Sequence, residues 1–89
     1  TIVNFHIDAD RAQLDRVVAF AGERSIVAGD ANIVSAGANG FSAPLAGSID
    51  QILVRGLTLR DGPAAWPVER RTVDGRVLSD HAPVEAVVE

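Results

Sequence analysis

The sequence predicts an α/β chain of the α+β kind, a mixed β-sheet carrying one main helix. Three observations point there. Apolar residues alternate over residues 2–7 and then recur at helical spacing over residues 10–21. A second short apolar run, residues 25–29, follows, so that strand, helix and strand succeed one another. Two further strand-like runs, residues 49–55 and 83–88, come after a long stretch rich in Ala, Gly, Ser and Asn.

In the first strand Val3, Phe5 and Ile7 share one face, and Ile2, Asn4 and His6 share the other. In the helical stretch Leu14, Val17, Val18 and Ala21 line one side, with Arg11, Asp15 and Arg16 on the polar side. Asp10 reads as the N-cap, Gln13 completes a capping-box pattern, and Gly22 reads as the C-terminal stop. Joined to residues 25–29, this helix is expected to form a right-handed parallel βαβ unit. Residues 31–48 read as a loop with Phe41 as its only aromatic residue. In the third strand Ile52 and Val54 share a face with Asp50, while Gln51 and Arg55 point the other way. Gly62-Pro63 and Trp66-Pro67 interrupt regular structure, residues 68–73 are expected to be a strand, and Asp74-Gly75 is a hairpin dipeptide. Residues 83–88 form the last expected strand.

A length of 89 residues fits one small domain and not two. The chain has no cysteine, which excludes disulfides, a thiolate metal site and a cysteine nucleophile. An apolar fraction of 47% is too high for a disordered chain, yet no apolar run is long enough to span a bilayer. No basic segment of the signal-peptide kind opens the chain, and the absent initiator Met raises the expectation that sequence lies upstream of Thr1. A net charge of −4 argues against wrapping nucleic acid by counterion release. An acidic metal site would lower the charge in the same way, so that argument is weak.

The polar residues fall at strand ends. His6 closes the first strand, Asp30 and Asn32 follow the second, Asp50 opens the third, and Asp80 and His81 precede the last. Sheet edges are where ligand sites form preferentially. Carboxylates hold hard cations such as Mg²⁺, a histidine moves protons near neutral pH, and an Asp beside a His fixes its tautomer. Each piece also has a plain structural reading. Asp30 fits an ordinary turn, Asp50 an ion pair with Arg55 or Arg60, and Asp80 a local backbone contact.

In order along the chain stand Asn4-Phe5-His6, Gly29-Asp30-Ala31-Asn32, Ile49-Asp50-Gln51-Ile52 and Ser79-Asp80-His81-Ala82-Pro83-Val84. This series resembles the endonuclease/exonuclease/phosphatase superfamily, the DNase I-like hydrolases, over residues 4–84. The Ser-Asp-His-x-Pro-Val element is the most specific of the four, and Ala31 replaces the usual aromatic residue. The resemblance implies catalytic roles for His6, Asp30, Asn32, Asp50 and His81. Asp30 would position or deprotonate the attacking water, and Asn32 would contact phosphate or metal-bound water. Asp50 would orient His81 against the phosphate, and His6 would assist the phosphate or the leaving group. Asp80, with Asp30 and Asn32, would lie on the side of a Mg²⁺ or Mn²⁺ cofactor. The implied reaction is metal-dependent hydrolysis of a phosphoester by in-line attack of water.

The resemblance covers only the C-terminal half of that family's domain. The N-terminal half normally supplies an Asn and a Glu to the metal, and Glu23, Glu69, Glu85 and Glu89 match neither motif. Residues 1–89 are therefore expected to be half of a four-layer α/β/β/α sandwich, partnered by the missing N-terminal half or by a second copy. The substrate is a phosphoester, either nucleic acid or a small molecule. Arg55, Arg60, Arg70, Arg71 and Arg76 offer phosphate contacts or a solvated surface, and Trp66 a stacking platform or a loop anchor. The alternative is a non-catalytic module that self-associates through an apolar sheet face, for which Val3, Phe5, Ile52 and Val54 are the candidates.

Overall fold

Strand β1 (Ile2–His6) and strand β2 (Ser25–Asp30) pair in parallel, with the single α-helix, α1 (Arg11–Val18), between them in sequence. β3 (Asp50–Arg55) adds antiparallel to β2, giving a mixed three-stranded sheet in the order β1-β2-β3. In this computed structural model, which describes residues 1–89, the chain is thus an α+β fold with a mixed sheet and one helix. Two small ribbons complete it. β4 (Leu59–Ala65) pairs antiparallel with β7 (Val84–Val88), and the two-residue strands β5 (Thr72–Val73) and β6 (Arg76–Val77) form a hairpin. The β4–β7 ribbon approaches the main sheet along β3. No helix is long and apolar enough to cross a membrane.

The main sheet has two unlike faces because side chains alternate along each strand. One face carries Val3, Phe5 and Ile7 from β1 and its exit, Val27 from β2 and Leu53 from β3. Leu14 of α1 and Ala31, Ala36 and Phe41 of the 31–48 loop close over it. Leu14, Val27 and Leu53 are fully buried there. The register places Ile2, Ile26 and Val54 in one row of the opposite face and Asn4, Ala28 and Ile52 in the next. This face has no covering helix. The molecule measures 43 × 29 × 19 Å. Four stacked layers would need three spacings of about 10 Å each, so the short dimension corresponds to helix on sheet.

Several expectations need correction. Val3 and Phe5 lie on the helix-covered face, so they do not share a surface with Ile52 and Val54. The expected strand at residues 68–73 is a 3₁₀ helix, Val68–Arg71, followed by β5. Pro67 starts that turn at φ −63°, and the Thr72 hydroxyl donates to the Val68 carbonyl at 2.6 Å, which supports a turn over an extended chain. Conversely, β4 runs through Gly62-Pro63. Two register shifts against β7 absorb the irregularity, with Gly62 at φ 77°.

The helix ends at Val18, short of Gly22. Its overrun is held by turn bonds from Phe20 to Val17 and from Ala21 to Val18. Arg55 donates to the Ala21 and Gly22 carbonyls at 2.7–3.1 Å, which ties the segment after the helix to β3. At the other end Asp10 caps the Ala12 amide at 2.9 Å as expected, but Gln13 reaches the Asp8 amide instead of closing the box on Asp10. The 31–48 stretch is a loop, as expected, and Asp74-Gly75 turns the β5–β6 hairpin with φ 50° and 74°.

Candidate active site

The open sheet face ends in a row of polar side chains. His6 is directly opposite Asp30 in the β1–β2 register, and Asp30 is directly opposite Asp50 in the β2–β3 register. Opposite residues project from the same face, so three strands present His, Asp and Asp side by side. The segment entering β7 then brings His81 onto the row. His81 Nδ1 lies 2.8 Å from Asp50 Oδ2 and 3.9 Å from Asp30 Oδ2, and His6 Nε2 lies 3.6 Å from the same Asp30 oxygen. Two carboxylates in direct register repel one another, and the two imidazoles bracket them.

Local structure fixes each member. Gly29, preceding Asp30, sits hard against β1, because a Cβ there would run into the Phe5 carbonyl. Asp30 Oδ1 accepts from the Asn32 amide at 2.8 Å in an Asx turn, with Asn32 at φ 50°, and this leaves Oδ2 for the histidines. Asn32 turns its side-chain amide back to the Ile7 carbonyl at 2.6 Å. Ser48 brackets Asp50, its hydroxyl accepting from the Asp50 amide at 3.0 Å and donating to the Asp50 carbonyl at 2.8 Å. His81 is set by a turn in which its amide donates to Ser79 Oγ at 3.0 Å.

Behind Asp50, the Gln51 side chain is buried in the loop face. Its Oε1 accepts from the Leu45 amide at 2.7 Å, and its Nε2 donates to the Leu45 and Ser48 carbonyls at 2.9 and 2.8 Å. These bonds tie the 31–48 loop to β3, so the residue beside Asp50 is as well anchored as a backbone ladder. Sequence reading placed Gln51 only as a residue facing away from Asp50. The available signal was an amide at a position where strand alternation calls for an apolar residue.

A cavity of about 410 Å³ opens over this row, lined by Asp30, Asp50, His81, Ile52, Ser79 and Val84 among others. The Asp30 and Asp50 side chains are 16% and 24% exposed, against 43% for His81 and 76% for His6. An incoming ligand therefore meets imidazole before carboxylate. The hydrogen bond to Asp50 raises the His81 pKa above the ordinary histidine value, and the Asp50 charge adds to it. Partial burial opposes the rise, while the charges of Asp80 and Asp30 reinforce it.

His6, Asp30, Asp50 and His81 are thus brought together, and Asn32 adjoins them through Asp30. Asp80 acts on His81 by charge but stands outside the cluster of potential ligand atoms within 4.8 Å of one another, which is Asp30, Asp50 and His81. Mg²⁺ requires near-octahedral oxygen ligands. Asp30 belongs to that cluster and Asp80 does not, and the Asn32 side-chain nitrogen donates to the Ile7 carbonyl.

Arg55, Arg60, Arg70 and Arg71 are engaged elsewhere. Arg55 lies 4.5 Å from the centre of the Phe41 ring, Arg60 pairs with Glu89 and Arg70 with Glu85. Arg71 donates to the Ser79 carbonyl at 2.8 Å. None of the arginines lines the cavity. Trp66 is half-buried, stacked under Arg70 at 3.8 Å, and its backbone amide donates to the Pro83 carbonyl, an anchor for the segment that carries His81. No family model, curated protein or solved structure matches the chain.

Proposed function

We propose that this chain carries the phosphate-reacting half of a DNase I-like phosphoester hydrolase. The observation behind this reading is the cross-strand row His6–Asp30–Asp50 with His81 bonded to Asp50, because the four motifs that resemble the family meet at one point. An ionised carboxylate only accepts hydrogen bonds, so His81 carries its proton on Nδ1 toward Asp50, and Nε2 is left for the ligand. In the imidazolium form that Asp50 favours, Nε2–H donates to a phosphate oxygen and stabilises the charge that builds in the transition state. Asp30 Oδ2 orients the attacking water and draws its proton, and His6, more exposed, assists the leaving oxygen.

Mg²⁺ or Mn²⁺ is the cofactor in this reading, with Asp80 on its side of the site and the remaining ligands supplied from outside this donor set. When bound, the ion neutralises phosphate charge. A second sheet over the open face would complete the four-layer sandwich. Hydrolysis of bis(p-nitrophenyl) phosphate by the chain together with a supplied N-terminal half tests the reading. It should depend on Mg²⁺ or Mn²⁺ and disappear in Asp30→Asn and His81→Ala.

A second reading has its own observation. Ile2 is 81% exposed on the open face, beside half-buried Ile26 and Ile52. Apolar surface in water costs about 25 cal/mol per Å². Under this reading the chain is an assembly module that pairs with a second copy through that face. Light scattering distinguishes the two, since Ile26→Thr should dissociate the assembly while Asp30→Asn and His81→Ala leave it intact.

A further inference from the structure

The oxygen-only requirement of Mg²⁺ and the donor set of the row disagree, and the disagreement has a chemical meaning. The atoms that do converge are one imidazole nitrogen and two carboxylate oxygens, from His81, Asp50 and Asp30. Nitrogen with carboxylate oxygen is the ligand preference of Zn²⁺ and its neighbours, not of Mg²⁺. A tetrahedral ion with bonds of about 2.0–2.1 Å holds its ligand atoms about 3.3 Å apart. His81 Nδ1 stands 2.8 Å from Asp50 Oδ2 and 3.9 Å from Asp30 Oδ2, so small side-chain rotations from both sides reach that spacing.

Two further observations point to a cation. Asp30 and Asp50 are directly opposed in register, a like-charge pair that a cation between them relieves. His6 Nε2, 3.6 Å from Asp30 Oδ2 on a side chain that is 76% exposed, is free to swing in as a fourth ligand or to leave that position to water.

We propose that Asp30, Asp50 and His81 form a binding site for a Zn²⁺-class divalent cation, and that this ion inhibits hydrolysis. The binding claim stands on the donor geometry alone, and the inhibitory claim rests on the hydrolytic reading above. On binding, His81 gives up its Nδ1 proton to solvent, and a metal–Nδ1 bond replaces the Nδ1–H···Asp50 hydrogen bond. The neutral ring then carries its one proton on Nε2, and Asp50 and Asp30 each give one oxygen to the ion. His81 is then held by the ion, and Asp30 is no longer available to a water. The site is a competitor of phosphate chemistry built from the same side chains.

The test is a Co²⁺ titration of the chain without substrate, read by visible absorption, with Zn²⁺ titration read by the ring resonances of His81. One equivalent of Co²⁺ should give the intense bands of a four- or five-coordinate ion, and Zn²⁺ should shift the His81 ring signals in the wild-type chain. His81→Gln and Asp50→Asn should weaken binding by more than about tenfold, the low end of what even outer-sphere partners of a metal contribute. Asp80→Asn should weaken binding far less than His81→Gln does, because Asp80 acts on His81 only by charge. A weak six-coordinate spectrum, unmoved His81 resonances, or a loss in Asp80→Asn as large as in His81→Gln would overturn the site. Because substrate is absent, failure here leaves the hydrolytic reading standing. Equally, if the chain binds Co²⁺ as described but hydrolyses no phosphoester even with the N-terminal half supplied, the site stands and only the inhibitory role is lost.

Discussion

His81 Nδ1 and Asp50 Oδ2 lie 2.8 Å apart although 31 positions separate them in the chain. Asp50 is held by Ser48 and by its place opposite Asp30, and His81 by the Ser79 turn. The contact therefore reports both on the fold and on the chemistry proposed for it.

The pair makes stability depend on pH in a defined direction. The folded-state pKa of His81 is raised above its unfolded value of 6.5. Folding thus favours the protonated imidazole. The stabilisation is fully present below pH 6.5 and is lost as pH rises through the folded-state value. The wild-type melting temperature should exceed that of His81→Gln most just below pH 6.5, with the gap narrowing on the alkaline side. An NMR titration of His81 should give a pKa above 6.5 in the wild type and a lower one in Asp50→Asn. Equal values would remove Asp50 as the cause.

In the hydrolytic reading the same pair sets the rate. Asp30→Asn and His81→Ala should lower kcat/KM by about 10²–10⁴-fold, the usual worth of a positioned acid or base, with circular dichroism unchanged. Activity should fall on the alkaline side as the His81 imidazolium is lost, and Asp50→Asn should move that limb to lower pH.

Gln51 is predicted to matter for stability through its buried side-chain amide. Gln51→Leu keeps the volume and strands the Leu45 amide and the Leu45 and Ser48 carbonyls. Urea denaturation should show a loss of about 2 kcal/mol or more, the cost of leaving buried backbone groups unpaired.

Gly29→Ala places a Cβ where the Phe5 carbonyl stands and 3.0 Å from the Phe5 ring. The β1–β2 pair must part to admit it. Overpacking of this kind costs about 1–3 kcal/mol, read as a lowered unfolding midpoint. Since Gly29 adjoins Asp30, the separation should also pull His6 away from Asp30.

The strands and helix whose apolar residues keep a clear period were readable along the chain. Spacing alone groups Val3 with Phe5 on one side of β1 and puts Leu14 on the apolar side of α1. β4 was hidden because Gly62 and Pro63 forbid a regular ladder, and only pairing with β7 rescues the strand through two register shifts. Residues 68–71 show the opposite failure, since β-branched Val68 suggests a strand where Pro67 and the Thr72 hydroxyl make a turn. In the site, the polar side chains at strand ends could be picked out individually. Their convergence depended on the registers His6↔Asp30 and Asp30↔Asp50, which are facts of pairing between segments. Alternation showed correctly that Ile52 and Val54 share a face with Asp50. Which face α1 would cover was set by tertiary packing, and this is why Val3 and Phe5 were grouped with the wrong surface.

The central claim is that Asp30 and His81 act on a phosphoester and that the chain's own ligands do not complete the metal site. The direct measurement is Mg²⁺-dependent hydrolysis of bis(p-nitrophenyl) phosphate by the 89-residue chain, alone and with the N-terminal half of a DNase I-like domain supplied in trans. The account predicts turnover only when both parts are present, lost when the chain carries Asp30→Asn or His81→Ala. Full turnover by the chain alone, or combined turnover that survives both substitutions, would contradict it.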